Sequence, residues 1–253
     1  MAAEGRSFRP NPRVDIAGLA RAAWQQLTSG HARAGQQSSD TEVDRLICDL
    51  AMIVRLAGQL MTKASLALHQ ADLKSAELVI SRADEIKARC EDTDQRCLDL
   101  LVGSASMATD LRILVAAMHV VKDLQRMCYL AQHIAEVARL THPIEPIPAD
   151  IRPVSLQMGV LASRLAEDAA AAIESRDPIS AARLVQVDNE VDALRRQIFQ
   201  ILFSADWSHG VEPAVNAALI GRYYERFADH AVAIARKVTA SSTARHVPAR
   251  HHV

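Results

Sequence analysis

The stretch Tyr224-Glu225-Arg226-Phe227-Ala228-Asp229-His230, continued by Ala231, Ile234 and Ala235, has a counterpart one hundred residues earlier. There the chain reads Asp123-Leu124-Gln125-Arg126-Met127-Cys128-Tyr129, continued by Ala131, Ile134 and Ala135. Arginine, alanine, isoleucine and alanine recur at the same offsets, and steps of three and four residues mark a helix. A second correspondence lies upstream. Asp72-Leu73-Lys74-Ser75-Ala76 matches Asp177-Pro178-Ile179-Ser180-Ala181 at a shift of 105, with an aspartate in the helix-capping position each time. Two shifts of similar size in consecutive helices point to a duplicated unit of roughly a hundred residues. The acids are not duplicated: Glu225 and Asp229 stand where the first copy has Gln125 and Tyr129.

The flanking sequence sets the boundaries. From Glu42 to Gln70 no proline occurs, and Leu46, Leu50, Ile53, Leu56, Leu60, Met61, Ala64 and Leu68 form an amphipathic stripe. Ser39 followed by Glu42 has capping-box spacing and predicts the start of that helix. Asp72 caps a second helix ending at Gly103-Ser104, and a third runs from about Met107 to Leu140. His142-Pro143, Pro146, Pro148 and Pro153 then break the chain. Helices over about Val154 to Ser175, from Pro178 to about Ser204, and from about Pro213 to Thr239 repeat the plan. The expected organisation is all-α. A disordered extension over 1–40 carries at most a short helix from Asp15 to Leu27, and two tandem antiparallel three-helix bundles span 41–142 and 154–239. A proline-rich linker over 143–153 joins the bundles, and a disordered tail occupies 240–253.

Composition narrows the function classes. Nearly half of the residues are apolar, but only 4% are aromatic, so small aliphatic side chains fill the core, which suits closely packed helices. With 29 basic and 30 acidic residues, no global field directs the protein to nucleic acid. Cys48, Cys90, Cys97 and Cys128 form no Cys-x-x-Cys pair, so they are expected to be buried free thiols. Met1 to Arg13 is polar, and the apolar run Ile113 to Val121 falls far short of the ~20 residues of a bilayer span, so a soluble cytoplasmic protein is expected. No nucleophile elbow, phosphate loop, dinucleotide fingerprint or His-Glu-x-x-His occurs.

Several motifs, in order and spacing, resemble the PhoU family of bacterial phosphate-uptake regulators. Ala108-Thr109-Asp110-Leu111-Arg112 is similar to the segment opening that family's third helix. Val79-Ile80 with Ile86, and Val185 with Asp188, Val191 and Asp192, resemble its Val-Ile-x-x-Asp-x-x-Ile-Asp stretch, and Glu225 to Asp229 its Glu-Arg-x-x-Asp signature. The resemblance covers about residues 42–238. It departs in the first half, where Ala83, Lys87, Gln125 and Tyr129 replace acids, and Ser106 replaces a proline.

The resemblance implies two tandem three-helix bundles and a non-catalytic adaptor. Such an adaptor would sit between the ATPase subunit of a phosphate ABC transporter and a sensor histidine kinase. It would repress the phosphate-starvation response, often as a homodimer, and would meet the membrane only through its partners. It also implies a metal site, here restricted to Asp188, Asp192, Glu225 and Asp229. Each pair is spaced four apart on one helix face, and four oxygen ligands suit iron, manganese or magnesium. The alternative is that these acids pair with Arg195, Arg196, Arg222 and Arg226. His230, about 100° round the helix, is a poor co-ligand. Asp110 and Arg112 are the candidate partner-facing pair, with a helix cap and a salt bridge as the alternative. Trp207, Tyr223, Tyr224 and Phe227 are expected to seal one bundle end. Two rival readings stand beside the adaptor: a carboxylate-ligated metal protein with an enzymatic or storage role, and a plain helical scaffold.

Overall fold

The computed structural model describes the backbone of residues 16–103 and 108–243, and the side chains of 41–102 and 111–241. Six helices make up the described chain: α1 (Ile16–Gln70), α2 (Leu73–Gly103), α3 (Ala108–Thr141), α4 (Arg152–Ser175), α5 (Pro178–Leu202) and α6 (Val211–Thr243). Among the described residues there is no strand. The chain divides into two units, Met1–Thr41 and Glu42–Val253.

The first unit differs from the sequence expectation. Residues 16–41 are helical throughout, so neither a short helix ending at Leu27 nor a helix start at Ser39 is present. The physical reason is local. No proline follows Pro12 in this stretch, alanines are frequent, and an isolated glycine costs a helix only about 1 kcal/mol. A Ser-x-x-Glu spacing inside such a stretch is no cap, because a cap needs a non-helical residue there. Residues 1–15 and 244–253, parts of the predicted extension and tail, lie outside the described residues.

In the second unit the duplicated turn is visible in atomic detail. Ala71 takes φ +48°, and the Asp72 amide donates to the Ala67 carbonyl at 3.0 Å, closing the end of α1. Asp72 then accepts from the Ser75 amide at 3.2 Å and the Ser75 hydroxyl at 2.5 Å, opening α2. Arg176 takes φ +53°, and the Asp177 amide donates to the Ala172 carbonyl at 3.2 Å. Asp177 accepts from the Ser180 amide at 3.1 Å and the Ser180 hydroxyl at 2.5 Å. A left-handed residue (Ala71, Arg176) followed by the same aspartate and serine therefore stops one helix and starts the next in both halves.

The halves meet along two antiparallel seams. Along α1 and α4, contacts run from Asp44–Arg176 through Arg55 with Glu167 and Glu174 to His69–Ser155. Along α3 and α6, Asp123 meets His230 and Lys237, while the His133 ring lies 5.3 Å from that of Tyr223. Opposite chain directions at both seams are what a two-fold relation between the halves requires. The buried residues of both halves form one continuous core, dominated by alanine, leucine, isoleucine and valine.

Small residues let the first seam close. A Cβ on Gly58 would lie 2.9 Å from the Ala166 Cβ. A Cβ on Gly159 would run into the Ser65 hydroxyl and lie 3.2 Å from the Tyr224 hydroxyl oxygen. There Tyr224, wholly buried, donates to Ser65 Oγ at 2.9 Å, tying α6 to α1. Arg55 reinforces the seam with a fork to Glu174 at 2.6 and 2.7 Å and a third bond to Glu167 at 2.7 Å.

Two outcomes follow. Gly159→Ala should lower stability by about 1–3 kcal/mol, because the added methyl group overpacks a seam that cannot part without breaking the Tyr224 bond. Ala71→Gly should raise it by about 0.5–1 kcal/mol by relieving a left-handed backbone that only glycine adopts freely. Urea midpoints of the two variants against the wild-type chain measure both effects.

Candidate functional site

The structure brings the four predicted acids onto the facing sides of α5 and α6. α5 is set by its Asp177 cap and by Pro178 at its first turn, and Asp188 and Asp192 project from it one turn apart. α6 runs antiparallel beside it and presents Glu225 and Asp229 at the same spacing. Asp188 is half-buried, and burial together with the charges of Asp229, Asp192 and Glu225 pushes its carboxyl up to about 6. Burial and Glu225 also raise Asp229, with Arg226 opposing. The four carboxylates therefore act on one another electrostatically.

Arginines answer part of that charge. Glu225, only 8% exposed, is paired with Arg222 and lies 3.4 Å from Arg195 Nε. Arg226 stands 3.4 Å from Asp229. Among the described residues, no three histidine, cysteine, aspartate or glutamate side chains come close enough together to hold one metal ion. As it stands, the most buried acid of the cluster, Glu225, already has two guanidinium partners, while Asp188 faces the other three carboxylates.

The equivalent place in the first half has the opposite chemistry. Lys87, at the position matching Asp192, lies with its ammonium 4.3 Å from the centre of the Tyr129 ring, at the position matching Asp229. Lys87 also donates to Gln132 Oε1 at 3.0 Å and pairs with Asp84 at 2.6 Å. A tethered cation on an aromatic face occupies the spot where the second half gathers acids.

The remaining predicted residues are dispersed. Arg112 is exposed on α3, while the side chain of Asp110 lies outside the described residues. The four aromatics do not gather: Tyr224 and Phe227 are in the core, Tyr223 packs on His133, and Trp207 stands in the loop before α6. Sealing one end would need exposed ring faces, but α6 turns positions 224 and 227 inward. Cys90, Cys97 and Cys128 are buried free thiols as expected, whereas Cys48 is exposed on α1.

The sequence reading missed Asp123 and His230 as a pair. Burial opposes the charge on Asp123, but His230 at 3.1 Å and Lys237 at 2.6 Å outweigh it and hold the carboxyl below its usual range. The face of His230 turned away from Glu225 and Asp229 is the one that reaches α3. Their separation of more than a hundred residues left no local signal.

The elevated Asp188 fixes a pH dependence. Its folded-state pKa lies above the ordinary value, so the folded chain holds a proton that the unfolded chain has lost between about pH 4 and 6, and stability falls as pH rises through that window. Asp188→Asn should therefore raise stability at pH 7.5 by on the order of 1 kcal/mol, allowing for solvent screening. The gain should vanish near pH 4. Thermal melts of the two proteins at both pH values test this.

Comparison with known proteins adds the family. A profile described as the PhoU domain matches this chain twice, at residues 50–138 and 156–238. The chain is 40% identical over 194 residues to "Phosphate-specific transport system accessory protein PhoU homolog 1" of Mycobacterium leprae, covering 77% of this chain and 87% of that one. It is 40% identical over 188 residues to the Mycobacterium tuberculosis protein named PhoU homolog 2, covering 74% and 88%. The fold is similar to the crystal structures of PhoU from Pseudomonas aeruginosa (TM-score 0.73, 22% identity, 81% of this chain and 99% of that one) and of the phosphate transport system regulatory protein PhoU from Streptococcus pneumoniae (TM-score 0.70, 25%, 83% and 99%). No helix among the described residues is long and apolar enough to cross a membrane. A duplicated helical unit with the signature acids kept in its second copy, matched in both copies by the family profile, makes this chain a member of the PhoU family.

Proposed function

We infer that this chain regulates phosphate uptake and phosphate-starvation signalling as a non-catalytic adaptor. It would act in the cytoplasm between the ATPase subunit of a phosphate ABC transporter and a sensor histidine kinase, and would repress the starvation response when phosphate is plentiful. The observation that carries this reading is the double match to the family domain, together with relatives at 40% identity named as accessory proteins of phosphate-specific transport.

The architecture supports a relay. A contact made by one half in only one state of the transporter would bias the other half, because both share a core and two cross-half seams. A coupling of roughly 1–3 kcal/mol is enough to change a partner's affinity by 5–150-fold. Arg112 is a partner-facing candidate because it is exposed near the start of α3.

A second reading has one observation in its favour. Burial and repulsion from the other three acids raise Asp188, and a divalent cation drawing Glu225 away from Arg195 and Arg222 would relieve that repulsion. Iron, manganese or magnesium would suit such oxygen ligands.

Deleting the gene should turn on a phosphate-starvation reporter in phosphate-replete cells, and complementation with the wild-type chain should silence it. Silence after deletion contradicts the regulatory reading. Glu225→Gln should still complement under the adaptor reading. Elemental analysis of the purified wild-type chain and Glu225→Gln separates the second reading: it requires stoichiometric metal in the first and its loss, together with the loss of complementation, in the second.

A further inference from the structure

Between the end of α5 and the start of α6 lies an apolar cleft of about 570 Å³, with Phe199, Leu202, Phe203, Trp207, Val211 and Val215 in its wall. Phe203 is 83% exposed, Val211 79% and Val215 50%. Trp207 donates from its indole nitrogen to the Gly210 carbonyl at 2.9 Å and meets the His209 ring edge-on at 4.9 Å, which fixes the indole as one wall. Contiguous exposed apolar surface of this kind marks an interaction site.

The surrounding charge says what covers it. Val211, Val215, Leu219, Arg222 and Arg226 follow one another at steps of four, four, three and four residues, and so share one face of α6. That face starts apolar and ends in two arginines, Arg222 paired with Glu225 and Arg226 standing 3.4 Å from Asp229. From α5, the guanidinium of Arg195 stacks 5.6 Å from the Phe199 ring, and Arg196 is exposed beside it. Glu225 answers Arg195 and Arg222. Further along, Asp188, Asp192 and Asp229 turn the surface acidic again, which limits the cationic zone to about two turns beyond the cleft.

We propose that this cleft docks an amphipathic helix of a partner protein, with apolar residues entering beside Phe199, Phe203 and Val215 and carboxylates about two turns along meeting the exposed Arg196. An anionic membrane is the poorer occupant. Asp206 and Glu212 are exposed at the tip that would have to face its headgroups, and Arg222 lies about 10 Å back along α6 from Val215. The proposal deepens the regulatory reading only in giving the chemistry of one partner, since helix-in-groove docking is independent of which protein supplies the helix.

The test is photo-crosslinking in living cells, with p-benzoylphenylalanine replacing Val215 in the full chain and, as a control, Val160 on the exposed side of α4. Val215 should give a light-dependent adduct that Val160 does not. Its mapped peptide should belong to a helix of another protein with apolar residues followed by aspartate or glutamate about two turns on. Phe203→Ser and Arg196→Glu, both at exposed positions, should each cut the adduct at least fivefold with helical content unchanged. An adduct with a second copy of this chain, with lipid or with a basic segment overturns the proposal, as does no adduct or a yield indifferent to both variants. A helix of the stated chemistry from a protein foreign to phosphate transport would keep the docking site and remove the regulatory reading. Phosphate-dependent repression with no adduct at position 215 would do the reverse.

Discussion

The close approach of α1 and α4 is the constraint on which the rest depends. Gly58 against Ala166, and Gly159 against Ser65, leave no room for an added methyl group. That closeness lets the buried Tyr224 of α6 reach Ser65 of α1, so three helices from two halves converge on one hydrogen bond. Were these glycines larger, the seam would widen and the buried Tyr224 hydroxyl would lose its bond to Ser65, a cost of about 1 kcal/mol. One core for both halves follows from that geometry.

Duplication made two similar scaffolds, and substitution gave them opposite chemistry. In the second half, Asp188 is held half-buried among three other acids, which costs folding stability at neutral pH. In the first half, the matching positions carry Ala83, Lys87, Gln125 and Tyr129, and Lys87 supplies its own cation to the site. Perturbed carboxyls cluster at functional sites, and structural ion-pair networks perturb them too. The asymmetry leaves the acids only on α5 and α6, with the apolar cleft at the far end of the same helix pair.

Much of this is legible in the sequence. Asp72 and Asp177 with Ser75 and Ser180 announced the helix starts, because a cap is a local signal with a fixed spacing. The acids four apart on α5 and on α6 could each be placed on one face of their own helix, because helical periodicity dictates it, whereas the meeting of the two faces is a tertiary matter. Other features depended on tertiary contacts. Nothing local in Asp123 or His230 says that they meet, and nothing in Trp207 separates it from Tyr224 and Phe227. Ser39 with Glu42 had the spacing of a cap but sits inside a helix, where the backbone leaves a cap nothing to do. The Phe199–Val215 cleft was hidden because its residues come from two helices and the loop between them.

The central claim is that the two halves fold as one cooperative body rather than as two bundles in series. Hydrogen-exchange mass spectrometry over a urea series measures this directly, because peptides from α2 and α3 report one half and those from α5 and α6 the other. A shared core predicts that both sets lose protection together, at one urea concentration. Loss of protection in α2 and α3 at clearly lower urea, with α5 and α6 still protected, would contradict it.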